Sequence, residues 1–191
     1  MKADVPSRPA AFLDRDGTLI EERGYPTSPK DIVPLPGVAE SLSILRGAGY
    51  LCIVLTNQSA IARGFLTEEA LQKIHEDLTR KLSTSQGPGI DAIYYCPHLE
   101  EGTSEAYSFA CKCRKPKAGL LEQAMSDLPI NLAESCFIGD SPRDLFPSAE
   151  NSATRILVSS GHPIEDASTA DHVASNLQEA VAWFLARPNA P

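Results

Sequence analysis

The stretch Ala11-Phe12-Leu13-Asp14-Arg15-Asp16-Gly17-Thr18 ends an apolar run in two carboxylates separated by one residue. A short, non-alternating apolar run reads as a strand covered on both faces, the pattern of a parallel sheet. Ligand sites in such sheets lie at the carboxyl ends of strands. Asp14 is therefore placed to point into a crevice. Gly17 lets the backbone turn sharply, so that Asp14 and Asp16 share one small volume. A solvated Asx-type turn would use the same residue types, but it would not need a buried strand directly before it.

Outward from this stretch the pattern repeats. Residues 51–55, 92–95, 136–138 and 155–158 are further strand-like runs. Between them lie amphipathic segments at 38–46, at 68–83 behind Thr67 as N-cap, and at 118–128, 141–151 and 176–186. Strand and helix in alternation predict an α/β fold with a doubly wound, mostly parallel sheet. Residues 1–191 read as a single domain, with 187–191 as a loose tail.

Composition narrows the function. The chain has 191 residues, 25 acidic against 17 basic, for a formal net charge of −8. That balance argues against non-specific nucleic-acid binding. A phosphorylated substrate must instead be drawn in by a local cluster of positive groups. No apolar run is long enough to span a bilayer, and no signal-peptide pattern opens the chain. The expectation is a cytoplasmic protein with no membrane partner.

Two connections are longer than this architecture needs, 15–36 and 96–116. Three further segments supply chemistry. Leu55-Thr56-Asn57-Gln58-Ser59 ends a strand in a hydroxyl and amides, Arg114-Lys115-Pro116 brings positive charge, and Phe137-Ile138-Gly139-Asp140-Ser141 ends a strand in another acid, with Asp144 four residues on. Asp14 suits a nucleophile and Asp16 an acid/base. Carboxylates this close repel unless a cation sits between them, and Mg²⁺ prefers oxygen ligands.

The order DxDGT, a strand-end Thr, a Lys before a helix and GDxxxD resembles the haloacid dehalogenase superfamily of phosphohydrolases. The finer pattern, DRDGT, TNQSxIARG, CPH…CxCRKP and GD, resembles its heptose-bisphosphate phosphatase branch and the related histidinol-phosphate phosphatases. The resemblance runs from about residue 11 to about residue 163. It implies Asp14 as nucleophile, Asp16 as acid/base, and Mg²⁺ held by Asp14, the carbonyl of Asp16, and Asp140. Thr56 and Lys115 would hold the transferring phosphoryl group. Glu22, Arg23, Gly24, Tyr25, Asn57, Gln58, Ser59 and Arg114 match substrate-contacting stretches. The implied partner is a small phosphorylated metabolite, with a sugar bisphosphate ahead of histidinol phosphate, acted on by a monomer. A catalytically silent relative would lack one of the matching residues, and all are present. There is no room between the first two motifs for a separate cap domain.

Cys96, His98, Cys111 and Cys113 form a Cys₃His donor set for structural Zn²⁺. Without a metal, the 96–116 loop would be pinned by very little. His75 reads as a helix-face residue, and His162 is expected near the site because it follows the fifth strand. Asp144 either orders the loop around Asp140 or caps a helix. Three positions depart from the family pattern: Ser141 stands where the heptose branch usually has Lys, Ser159-Ser160-Gly161-His162 where Arg-Thr-Gly-Lys is common, and Ala118 where Pro is usual. The first two remove positive charge near the phosphate site.

Overall fold

The computed structural model describes residues 6–145 and 153–187. Within them lie strands β1 (Ala10–Leu13), β2 (Leu51–Asn57), β3 (Ala92–Cys96), β4 (Cys136–Gly139), β5 (Thr154–Val158) and β6 (His172–Ala174). They form one sheet in the order β3-β2-β1-β4-β5-β6, every pair parallel. β1 is central, with Ala11 opposite Cys52 on one side and Cys136 on the other. The chain winds outward from β1 to β3, then returns to start again at β4. All carboxyl ends share one edge, and the reversal of order at β1 opens a crevice there.

The apolar runs are continuous because both faces are buried. Ala11, Leu13, Cys52, Val54, Cys136 and Ile138 pack with residues of α1 (Val38–Gly47), α2 (Glu68–Lys81) and α4 (Leu177–Leu185), among them Leu45, Ile74 and Phe184. Phe12, Ile53, Leu55, Phe137 and Leu157 face the other way, onto Leu120, Leu121 and Ala124 of α3 (Gly119–Asp127). Phe12 and Phe137 stack at 4.9 Å across the β1–β4 pair. Helix starts follow local chemistry. The Thr67 hydroxyl accepts the Ala70 N–H, Glu68 and Glu69 fill the first turn of α2, and Arg80 and Lys81 its last. These charges complement the helix dipole.

Four expectations need correction. β3 is not covered on both faces: residues 92–95 are only half-buried, because it is an edge strand, paired among the described residues with β2 alone. Cys96 is the last residue of β3 and fully buried, not part of a polar loop. β6 was not foreseen, since three residues are too few to show a pattern. Of the helix expected at 141–151, the described part is a single 3₁₀ turn, Pro142–Asp144. Ser141 donates its N–H to the Asp144 carboxylate at 3.0 Å, which closes that turn. Residues 146–152 lie outside the described residues, as do 188–191 of the expected tail. Arg187 lies over the rings of Trp183 and Phe184.

Between β1 and α1 the chain forms a flap rather than a cap. It contains one 3₁₀ turn, Pro29–Asp31, and isolated bridges from Ile20 to Asp16 and Pro34. Among the described residues, no helix is long and apolar enough to cross a membrane.

Candidate active site

Asp14 is the first residue past β1, and its N–H continues the ladder to Ile138 O at 3.0 Å. That bond aims the carboxylate into the crevice beside Asp140, the first residue past β4. Asp14, Asp140 and Asp144 each place a carboxylate oxygen within 4.8 Å of the others. Lys115 reaches into this cluster. Its Nζ lies 2.6 Å from Asp14 Oδ1, 2.7 Å from Asp144 Oδ1 and 2.6 Å from Leu55 O. Asp144, whose role was left open, thus both pairs with Lys115 and closes the turn after Asp140.

Asn57 fixes where Lys115 stands. Its Oδ1 accepts the Lys115 N–H at 3.0 Å, and its Nδ2 donates to the Lys115 carbonyl at 3.2 Å. Both ends of the Asn57 amide are therefore engaged by backbone. The Lys115–Pro116 bond that follows is cis.

Burial dominates the electrostatics. It pushes the Asp14 carboxyl up to about 8, although Lys115 pulls the other way. It pushes Asp140 up to about 6, with Asp144 adding to the rise. Burial would lower Lys115, but Asp14 and Asp144 outweigh it and hold the ammonium above its ordinary range. Three carboxyl groups packed round one ammonium form an all-oxygen donor set, which suits a hard divalent cation whose charge would favour their ionised form. The backbone makes room for this cluster with glycine. Gly17 has φ +77°, and a Cβ there or on Gly161 would collide with the Asp140 carboxylate.

Asp16 is held from behind by a group the sequence reading missed. The buried Arg15 side chain donates from Nε to Asp16 Oδ2 at 3.0 Å and from Nη2 to Asp16 Oδ1 at 2.9 Å. Gln58 donates to Asp16 Oδ2 at 3.0 Å and to Thr56 Oγ1 at 2.8 Å, and accepts from Arg15 Nη2 at 2.9 Å. Its amide, expected to contact substrate, holds Asp16, Thr56 and Arg15, and Gln58 also lines the cleft above them. The nearest sequence signal was an arginine inside the motif itself, flanked by two acids.

An open cleft of about 650 Å³ lies over these groups. Asp14, Asp16, Thr56, Ser59, Glu22, Gly24 and Tyr25 line it, and cationic or basic groups stand on both sides. Arg114 lines the β3 side, with Nη1 donating to His98 O at 3.2 Å. Arg143 and His162 line the β4–β5 side, and His162 Nε2 lies 3.9 Å from Asp140 Oδ2. Arg143 was not foreseen. It is exposed, in the turn after Ser141, the position that lacks the usual Lys. Arg23 does not line the cleft: it is exposed and pairs with Glu21 at 2.6 Å. Arg63 lies over the Tyr25 ring at 5.6 Å.

Cys96, His98, Cys111 and Cys113 converge as expected. Their Sγ atoms are 3.2–3.5 Å apart, and His98 Nδ1 lies 3.3 Å from Cys113 Sγ and 3.6 Å from Cys96 Sγ. A tetrahedron with metal–sulfur bonds of about 2.3 Å has edges of roughly 3.8 Å. Thiols packed this closely around one point therefore form a set that can hold a metal ion. The loop also docks on its neighbours. Thr103 and Ser104 donate N–H groups to Ala62 O, while Tyr107 and Tyr95 hydroxyls share the Glu68 carboxylate.

Comparison with known proteins gives the class. A family described as HAD-hydrolase-like matches residues 112–180. A D-glycero-beta-D-manno-heptose-1,7-bisphosphate 7-phosphatase of Haemophilus ducreyi is 42% identical over 178 residues, covering 91% of this chain and 97% of its own. The protein of the same name from Yersinia pestis is 38% identical over 184 residues, covering 95% and 97%. The crystal structure of D,D-heptose 1,7-bisphosphate phosphatase from B. bronchiseptica, complexed with magnesium and phosphate, matches with a TM-score of 0.77 at 29% identity. That match covers 93% of this chain and 98% of the other. The fold, the strand-end carboxylates and these likenesses define a phosphatase of the haloacid dehalogenase-like class. Within that class, the chain belongs to the heptose-1,7-bisphosphate 7-phosphatase family of these bacterial relatives.

The Asn57 clamp generates a test. Asn57→Ala frees the Lys115 backbone at both ends and lets the ammonium drift from Asp14. A displacement of about 1 Å costs on the order of a hundredfold. Phosphatase kcat should fall by about ten- to hundredfold with the thermal midpoint little changed, and steady-state kinetics with a melting curve read both.

Proposed function

We propose that the chain hydrolyses the 7-phosphate of D-glycero-D-manno-heptose 1,7-bisphosphate by way of an aspartyl-phosphate on Asp14. The observation that carries this reading is the Asp14 carboxylate at a strand end, fixed against Lys115, with cationic or basic groups on both sides of the cleft. In the first step, Asp14 attacks phosphorus and the bond to the sugar oxygen breaks, while Asp16 gives that oxygen its proton. In the second, water attacks the acyl-phosphate and Asp16 takes its proton, releasing inorganic phosphate and regenerating Asp14. Lys115 and the Thr56 hydroxyl balance charge on the transferring phosphoryl oxygens.

The carboxylate set fits Mg²⁺, with Asp14, Asp140 and the carbonyl of Asp16 as ligands and Asp144 beside them. When bound, the ion neutralises phosphoryl oxygens and offsets the repulsion between carboxylates. The Cys₃His set fits Zn²⁺, and its four protein ligands leave no open position for chemistry. Zinc there would hold Arg114 and Lys115, which follow Cys113 directly, in the orientation the site needs.

A bisphosphate needs positive contacts at two places. Arg114 and Arg143 provide them on opposite sides of the cleft, the second in place of the missing charge at Ser141. Histidinol phosphate carries a cationic amine and needs an unengaged acid at the rim. Glu21 is paired with Arg23, and the Glu22 carboxylate accepts the Gly24 N–H at 2.7 Å. The pairing of Glu21 with Arg23 removes one acid an amine could use and so favours the bisphosphate.

Asp14→Asn should lower kcat by at least about four orders of magnitude with the fold intact, since an amide cannot form the acyl-phosphate. Treatment with a chelator should silence the wild-type enzyme, and added Mg²⁺ should restore it. Elemental analysis should find about one zinc per chain, falling towards zero in Cys111→Ser, whose lower activity would come with a more protease-sensitive 96–116 loop. Metal-free protein with full activity and unchanged protease resistance would contradict the zinc assignment. Arg114→Ala and Arg143→Ala each remove a charge-assisted contact of about 1.5–3 kcal/mol. Each should lower kcat/KM for heptose 1,7-bisphosphate by about ten- to hundredfold while sparing p-nitrophenyl phosphate. A wild-type preference for histidinol phosphate over the bisphosphate would reverse the substrate assignment.

A further inference from the structure

We infer that His75, on α2 and outside the cleft, positions the carboxylate of Asp16 through the Arg15 guanidinium. The inference rests on the proposed role of Asp16 as the proton-transferring group.

Arg15 is 1% exposed. A guanidinium can only donate, and burying it is costly unless its N–H groups find acceptors. Its Nε and Nη2 are satisfied within the active-site loops, by Asp16 and the Gln58 carbonyl. Nη1 is met from elsewhere: it lies 3.3 Å from His75 Nε2, sixty residues away in sequence. Because arginine donates, Nε2 must be the unprotonated nitrogen that accepts. Burial, reinforced by the charge of Arg15, pushes His75 down to about 3, so the ring is neutral when it does so. The ring is fixed in turn, packed edge-on to Tyr95 at 5.7 Å and carried by the middle of α2.

Guanidinium geometry converts this acceptor into control of Asp16. The fork is planar and rigid, so the direction of Nη1 fixes the plane in which Nε and Nη2 meet the carboxylate. Without the acceptor, a buried donor is left unsatisfied, and the fork turns to seek another partner. Asp16 then loses the geometry in which its oxygens are held. His75 touches neither Asp14 nor the cleft wall, so it is a positioning residue.

The test compares His75→Phe, which keeps ring bulk without an acceptor, with His75→Gln, which restores an acceptor. His75→Met replaces the phenylalanine variant should that one not fold. Single-turnover phosphorylation and steady-state kinetics are measured with heptose 1,7-bisphosphate and with p-nitrophenyl phosphate, whose leaving group scarcely needs a proton. Asp16→Asn is run beside them. General acid–base catalysis contributes about 10²–10⁴, so partial misplacement of the acid should cost about tenfold. His75→Phe should lose about tenfold in the phosphorylation rate for the sugar phosphate, with KM near wild type and little loss for the nitrophenyl ester. His75→Gln should recover most of that loss. Equal losses on both substrates, no loss at all, or no recovery in His75→Gln would overturn the inference. If Asp16→Asn itself fails to discriminate between the two leaving groups, the acid role of Asp16 falls, and that result is separate from the behaviour of His75.

Discussion

The buried ion pair between Lys115 and the carboxylates of Asp14 and Asp144 sets the terms for the rest of the molecule. Three acids brought into one small volume, two from strand ends and one from the turn after β4, are unfavourable by themselves, and a single ammonium threaded among them offsets part of that cost. Placing the ammonium takes three separate devices. The Leu55 carbonyl accepts from it at 2.6 Å, Asn57 grips its backbone, and the Cys/His loop delivers the segment in which it lies. Only a parallel sheet puts Asp14, Thr56 and Asp140 on the same edge, so the topology serves the charge arrangement as much as the core.

The same accounting explains how an acidic chain can handle a polyanion. Net charge is −8, yet the cleft carries Arg114, Lys115 and Arg143. Of the rim acids, Glu21 is neutralised by Arg23. Charge is thus sorted locally, pair by pair, and the overall field contributes little.

Sequence reasoning reached the parts of the structure that are local. Apolar runs located five strands, and caps with periodicity located four helices, because burial on both faces and helix termini leave marks within a few residues. β6 left too short a mark, and β3 was misjudged because edge position depends on the whole sheet. In the site, each carboxylate could be found from its place after a strand. Arg15, His75 and the second task of Asn57 could not. The Arg15–His75 and Asn57–Lys115 contacts span sixty and fifty-eight residues, and only closure of the sheet brings them together. Gln58 was expected at the site and lines the cleft, but a side-chain amide at a strand end gives no hint that it also joins Asp16, Thr56 and Arg15.

The flap between β1 and α1 has a kinetic meaning. It carries one 3₁₀ turn and isolated bridges, and among the described residues no second body closes over the cleft. Enzymes that enclose their substrates spend part of each cycle opening and shutting. Here the described residues show nothing that must swing aside before solvent reaches Asp14. The water for the second half-reaction can come directly from bulk, and phosphate can leave by the same route. Discrimination between substrates must then fall to the side chains that line the cleft, among them Arg114 and Arg143 on its two sides.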